Sequence, residues 1–193
     1  MMMRAVIATL AVTGAIALAT GINDEADFTL SPIDQIPTKE QINNALKSSD
    51  PLQELSSRAT NEQVDVGIRL RAIHALAKYC SSTPCASTDA AHAPVVAVLM
   101  ANRNASSGSE VLLLRASIET LGVMRVTGDA PSLTPLLDHP SRDIRAATAR
   151  ALRDLCNNQA IPPLRARYSA EMTDQVKLAI SEALRILGQC GAL

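Results

Sequence analysis

Asp143-Ile144-Arg145-Ala146-Ala147-Thr148-Ala149-Arg150-Ala151-Leu152-Arg153-Asp154-Leu155 sets the frame for the whole chain. Counted from Ile144, the places +3, +4, +7, +8 and +11 hold Ala147, Thr148, Ala151, Leu152 and Leu155. That spacing is one face of an α-helix. Small residues with one large leucine at +8 let a second helix approach closely while a single side chain fills each layer. Such a face is stable only when another helix covers it.

The frame recurs three times more. From Ile68 the same places hold Arg71, Ala72, Ala75, Leu76 and Tyr79; from Leu113 they hold Ala116, Ser117, Thr120, Leu121 and Met124; from Val176 they hold Ala179, Ile180, Ala183, Leu184 and Leu187. A period of roughly 20 to 50 residues marks stacked helical units that cannot bury their faces alone. The starting residues are 45, 31 and 32 positions apart, so the first step carries an insertion, placed between Cys80 and Ser109. Covering helices are expected ahead of the copies, at Pro51 to Arg58, Pro94 to Asn102, Ala130 to Asp138 and Ile161 to Tyr168. Pro94, Pro135 and Pro163 are expected near the starts of their helices, where a missing N–H costs least. Ser109, Ser141 and Thr173 are the expected N-caps of the second helices. Thr38 would cap a further helix, at 37–47, for the open end of the first copy.

Composition agrees with an all-helical chain. Apolar residues make up 47% of the sequence but aromatics only 2%, Phe28, Tyr79 and Tyr168, so the core must be Ala, Leu, Ile and Val. Those residues suit close helix packing better than a sheet, which favours aromatic and β-branched residues. The net charge is −1, with eight acidic and three basic residues from Ile22 to Glu62 and eleven acidic and fourteen basic from Gln63 onward. Without a dense cationic stripe or aromatics to stack on bases, nucleic-acid binding is disfavoured.

Gly128-Asp129-Ala130-Pro131-Ser132-Leu133-Thr134-Pro135-Leu136-Leu137-Asp138-His139-Pro140, followed by Asp143-Ile144-Arg145 and Ala151-Leu152, resembles the HEAT repeat family, most closely the short HEAT-like repeats first recognised in phycobilisome lyases. The resemblance covers about Asp50 to Gly188. It implies a right-handed α-solenoid of about four helical hairpins, an armadillo-type superhelix. Arg71 where the other copies carry Ala, and Leu114 where the family favours Arg or Lys, depart from the pattern. The resemblance also implies that Arg69, Arg145 and Lys177, with Asp65, Asp143 and Asp174 just upstream, form a structural ladder between hairpins.

Met1 to Arg4 and the apolar run Ala5 to Ala19, ending in Ala17-Leu18-Ala19, have the layout of a secretory signal peptide cleaved near Ala19. The run is shorter than the ~20 residues a spanning helix prefers. No Cys follows the cleavage site to carry a lipid anchor. The expected organisation is thus a leader at 1–19, an extended acidic arm at 20–38 and a repeat domain at 39–193. The arm is either disordered or laid along the first repeat through Phe28, Leu30, Ile33 and Ile36. Behind a signal peptide, Cys80, Cys85, Cys156 and Cys190 are expected as disulfides. Four cysteines allow three pairings; repeat phase favours Cys80 with Cys85, and Cys156 with Cys190.

No sequence pattern assembles a catalytic nucleophile and base, so no enzyme is expected. His74, His92 and His139 fall in three different elements, and His139 is expected as a solvated turn residue. Neither a cofactor nor a metal is expected, because Cys80, Cys85, His74 and His92 match no standard zinc spacing. Opposite the packed stripe, places +2, +6 and +9 give Leu70, His74 and Ala77; Arg115, Glu119 and Gly122; Ala146, Arg150 and Arg153; and Leu178, Glu182 and Arg185. In solenoids such a row lines the usual binding surface. Candidate partner-binding residues are therefore His74, Arg115, Glu119, Arg150, Arg153, Glu182 and Arg185. The expected function is an exported, periplasmic or extracellular protein-interaction or scaffolding module for a protein or peptide partner. A lyase-like or chaperone-like accessory to the modification or folding of another protein is the alternative.

Overall fold

The computed structural model describes residues 29–30 and 37–190 of the 193-residue chain. The leader, most of the arm, and Phe28, Ile33 and Ile36 lie outside the described residues. Within them the chain is helical and no strand occurs. The helices are α1 (Lys39–Leu46), α2 (Pro51–Thr60), α3 (Val66–Leu76), α4 (His92–Asn102), α5 (Gly108–Met124), α6 (Ala130–Leu133), α7 (Arg142–Asp154), α8 (Ile161–Ala170) and α9 (Asp174–Leu187).

Four hairpins result: α2 with α3, α4 with α5, α6 and its 3-10 continuation Thr134–Asp138 with α7, and α8 with α9. The second helices pack neighbour to neighbour in the order α3, α5, α7, α9. An α-solenoid is what this stacking makes, with the alanine-and-leucine stripe of each second helix as its seam. Ala72, Ala75, Leu76, Ala116, Ser117, Leu121, Ala147, Thr148, Leu152, Ile180, Ala183 and Leu187 are all buried. Each fully buried Leu or Ile contributes about 1.5–3 kcal/mol of apolar transfer. The small residues set the spacing: a Cβ added at Gly122 of α5 would meet Ala151 Cα of α7 at 3.0 Å.

Helix starts and stops follow local chemistry, with corrections to the sequence expectations. Thr38 caps α1 as expected, in a reciprocal box with Gln41. Asp50 and Asp65 cap α2 and α3 through their carboxylates. Ser109 is not an N-cap, because α5 begins one residue earlier with Ser107 in the cap position. Ser141 and Thr173 occupy the cap positions of α7 and α9, but their side chains make no capping bond. Pro135 does not open its helix either: Pro131 sits in the first turn of α6, and Pro135, unable to donate to the preceding turn, falls where the helix tightens into the 3-10 segment. The insertion is the loop 80–91, since α4 starts at His92.

α1 closes the open end of the first hairpin. Ile42, Ala45 and Leu46 are buried there, and Tyr79 donates to Asn43 Oδ1 at 2.7 Å with Lys39 over its ring. Lys78 Nζ donates to the Pro37 carbonyl at 2.8 Å. Thr29 and Leu30 are helical rather than extended, and Leu30 is buried with the core. At the far end Ser181, Glu182, Arg185 and Gln189 of the last hairpin are exposed, together with the apolar Leu178 and Met172. Cys80 is bonded to Cys85 and Cys156 to Cys190, with Cα atoms 5.3 and 5.6 Å apart, so both favoured pairings are present. The first pins the insertion, whose Cys85 N–H also donates to the Met124 carbonyl at 2.8 Å. The second ties the end of α7 to the end of α9.

Candidate interaction surface

The row of second helices carries the sequence-predicted surface residues, and the fold sorts them into two groups. At the α3–α5 end, Arg115 Nε donates to Glu119 Oε1 at 2.8 Å, and His74 Nε2 lies 3.9 Å from Glu119 Oε2. Thr120 Oγ1 donates its proton to the Ala116 carbonyl, so His74 Nδ1, 3.1 Å from Thr120 Oγ1, is placed to donate to that hydroxyl oxygen. Burial holds the His74 ring below its ordinary pKa, Glu119 opposing and Arg115 adding to the effect. The Glu119 hydrogen bond raises Arg115 further above the guanidinium range.

At the α7–α9 end, Arg153 Nε donates to Asp154 Oδ1 at 2.7 Å, and its NH1 reaches Glu182 Oε1 at 3.5 Å across the helix gap. The bond to Asp154 likewise raises Arg153. Arg150 and Arg185 are exposed and have no partner among the described residues. The fold thus brings His74, Arg115 and Glu119 together, and Arg153 and Glu182 together, while Arg150 and Arg185 stand free. Gly122 and Ala146 do not belong to the exposed row. Both are buried, because neighbouring second helices approach so closely that places +9 of α5 and +2 of α7 fall in the seam. A concavity of about 310 Å³ lies beside the row, lined by Gly122, Val123, Arg125, Arg153, Asp154 and Ile186 among others.

Away from that row, a second set of polar residues does structural work. Arg145 donates through Nε and NH2 to Glu171 at 2.7 and 2.9 Å, and through NH1 to the carbonyls of His139 and Pro140, both at 2.9 Å. Glu171 Oε1 also accepts the N–H groups of Met172 and Thr173, fixing the two residues that lead into α9. Arg167 bonds Glu171 and Asp138. These donors, Arg145 first, hold the Glu171 carboxyl far below the usual carboxylate range. Arg145 is structural, but its partner is Glu171 of the next hairpin; Asp143 lies beside Arg142 instead. His139 is buried and not solvated: Nε2 donates to the Ala105 carbonyl at 2.8 Å and Nδ1 accepts from the Ser141 N–H, tying the second hairpin to the third.

His92, also buried, faces the Ser87 carbonyl with Nδ1 and Asp129 with Nε2, the latter at 2.9 Å. Burial pushes the Asp129 carboxyl up, against the pull of His92. No frame position flags Glu171 or Asp129, since both lie in turns. The one available signal, an acid directly preceding a helix, exists for Asp129 before α6 but not for Glu171, which Met172 and Thr173 separate from α9.

Residues 99–185 match the family of HEAT repeats. The match begins in α4 and ends in α9, and so spans the stacked second helices α5, α7 and α9. HEAT repeats commonly mediate protein–protein interaction. No curated protein and no solved structure matches the chain. Among the described residues, no helix is long and apolar enough to cross a membrane.

Proposed function

We propose that this chain is an exported, non-catalytic protein-interaction module that holds a protein or peptide partner on the row of second helices α3, α5, α7 and α9. The observation that carries the reading is the division of that row: internal ion pairs occupy Arg115, Glu119, Arg153 and Glu182, while Arg150 and Arg185 remain unpaired. Unpaired guanidinium groups on a rigid helix row offer bidentate donors to carboxylates without first breaking an internal bond. A non-catalytic role is supported by the histidines, each of which is engaged in holding hairpins together. Export is supported by the leader's layout and by two cysteine pairs at disulfide geometry.

The test is capture from the native envelope or culture fluid with the chain lacking its leader, repeated with Arg150→Glu and Arg153→Glu together. Loss of the captured partner, with an unchanged thermal transition, is the expected result. A partner retained in full by the double variant would place binding elsewhere. Export is tested by thiol counting on denatured, unreduced native protein, where no free thiol is expected.

A further inference from the structure

Arg69 holds in the first hairpin the place that Arg145 holds in the third, one position after the residue that starts the repeat frame. Arg145 spends its guanidinium on Glu171 of the next hairpin, five positions before Val176. Five positions before Leu113 stands Gly108, so the next hairpin offers Arg69 no acid at that place. Arg69 Nε donates to the Ala59 carbonyl at 3.4 Å, while its NH1 and NH2 have no partner among the described residues. A cleft of about 610 Å³ opens there instead, between the 61–65 turn, the second half of α4 and the start of α5. That volume is in the range of small-molecule sites, roughly 300–1,000 Å³. None of the candidate partner-binding residues of the second-helix row lines it.

Glu62 and Glu110 line the same cleft, and among the described residues neither pairs with Arg69 or with another cation. Opposite charges thus face one space without meeting across it. Asn102, only 9% exposed, gives its Nδ2 to the Val98 carbonyl at 2.8 Å, which leaves Oδ1 an acceptor without a protein partner. Unlike Thr148 Oγ1, that oxygen is not sealed off, so it opens to the cleft that Asn102 lines. Val98, Ala101 and Leu113 add apolar wall.

We infer that this cleft binds a small zwitterion, an aliphatic amino acid or a di- or tripeptide with both ends free. The ligand's carboxylate lies across NH1 and NH2 of Arg69 and does for it what Glu171 does for Arg145. The ligand's ammonium donates to Asn102 Oδ1 and faces the Glu62 and Glu110 carboxylates. Its side chain covers the apolar wall. Charge selects this class: a simple anion would be repelled by two carboxylates and a simple cation by Arg69, whereas a molecule carrying both charges satisfies both walls.

Isothermal titration calorimetry on the protein produced from its full sequence is the test. The probes are L-leucine and the dipeptide Ala-Leu, each also as its N-acetyl and its C-terminal amide form. Saturable binding of a free form is expected, weakened about tenfold or more by either block. Arg69→Gln is expected to weaken the free form as much as amidation does and to cost the amide little more, since both changes remove one contact. Glu110→Gln should likewise weaken the free form more than the N-acetyl form. Tighter binding of leucine would make this an amino-acid site, and of Ala-Leu a site for peptide ends. Failure of both free forms to bind, or equal affinity for free and blocked forms, would overturn the inference, and these readings on the unaltered protein hold even where Arg69→Gln unfolds it. So would an unchanged affinity in a folded Arg69→Gln variant. Arg150→Glu with Arg153→Glu is expected to leave the binding intact; its loss there would move the site to the second-helix row and sink the cleft.

Discussion

At the scale of single residues, buried polar groups decide more than their number suggests. Thr148 Oγ1 is buried in α7 and makes no hydrogen bond, so its desolvation is uncompensated. Thr148→Val keeps the shape and removes the orphan, and is expected to raise stability by about 1 kcal/mol in chemical denaturation. His74 and Glu171 act through pH. Both have folded pKa values below their unfolded ones, so both bind fewer protons folded than unfolded, and both lose stabilisation as pH falls. The windows are separate: the His74 contribution starts to fade below about pH 6.5, and that of Glu171 below about pH 4.3. His74→Gln is expected to flatten the stability profile only in the first window, and Glu171→Gln only in the second, read from denaturation midpoints across pH. At neutral pH, Glu171→Gln is also expected to cost about 3 kcal/mol, because Arg145 and Arg167 lose the charge they surround.

At the scale of elements, the distance between helices is set by side-chain size at the seams. Among the described glycines, Gly122 is the one where an added Cβ would meet the backbone of another helix, Ala151 of α7. Gly122→Val is expected to lower stability by about 2 kcal/mol, since the clash is with backbone and cannot be relieved by a rotamer change. Hydrogen exchange should show the loss in α5 and α7 together. These helices were legible in the sequence because the +3, +4, +7, +8, +11 frame is a local property of each segment. Their caps were less so. Ser141 and Thr173 stand where a cap belongs, yet His139 and Glu171 meet the nearby backbone donors. Glu171 is drawn there because Arg145 of the preceding hairpin approaches it, a contact between residues 26 positions apart.

At the scale of the whole molecule, a solenoid is held mainly by neighbour-to-neighbour contacts, so its ends are its weak points. The described chain answers this with α1 over one end and the Cys156–Cys190 link at the other. Closing a loop of this length contributes about 4 kcal/mol in the chain-entropy model, against about 2 kcal/mol for the short Cys80–Cys85 loop. Cys156→Ser with Cys190→Ser is therefore expected to cost more stability than Cys80→Ser with Cys85→Ser, measured by thermal unfolding without reductant. Exchange protection should fall first in α9 for the former pair and in the 80–91 loop for the latter. The partner-binding prediction belongs to this scale too, because Arg150 of α7 and Arg185 of α9 lie on different helices and act only as part of one row.

By itself the sequence determined that the chain folds as stacked helical hairpins and where the second helices lie, and it favoured, among three possible pairings, the cysteine pairs that meet. Each of these follows from periodicity or from repeat phase, which record local burial and the register between equivalent positions. Only the tertiary structure decided which charged residues are consumed internally and which face outward free. Arg145 and Arg150 lie one turn and a half apart on α7, yet one is buried against Glu171 and the other is exposed. A helix has no knowledge of its neighbours' side chains, so the fate of each charge is fixed only when the hairpins close on one another.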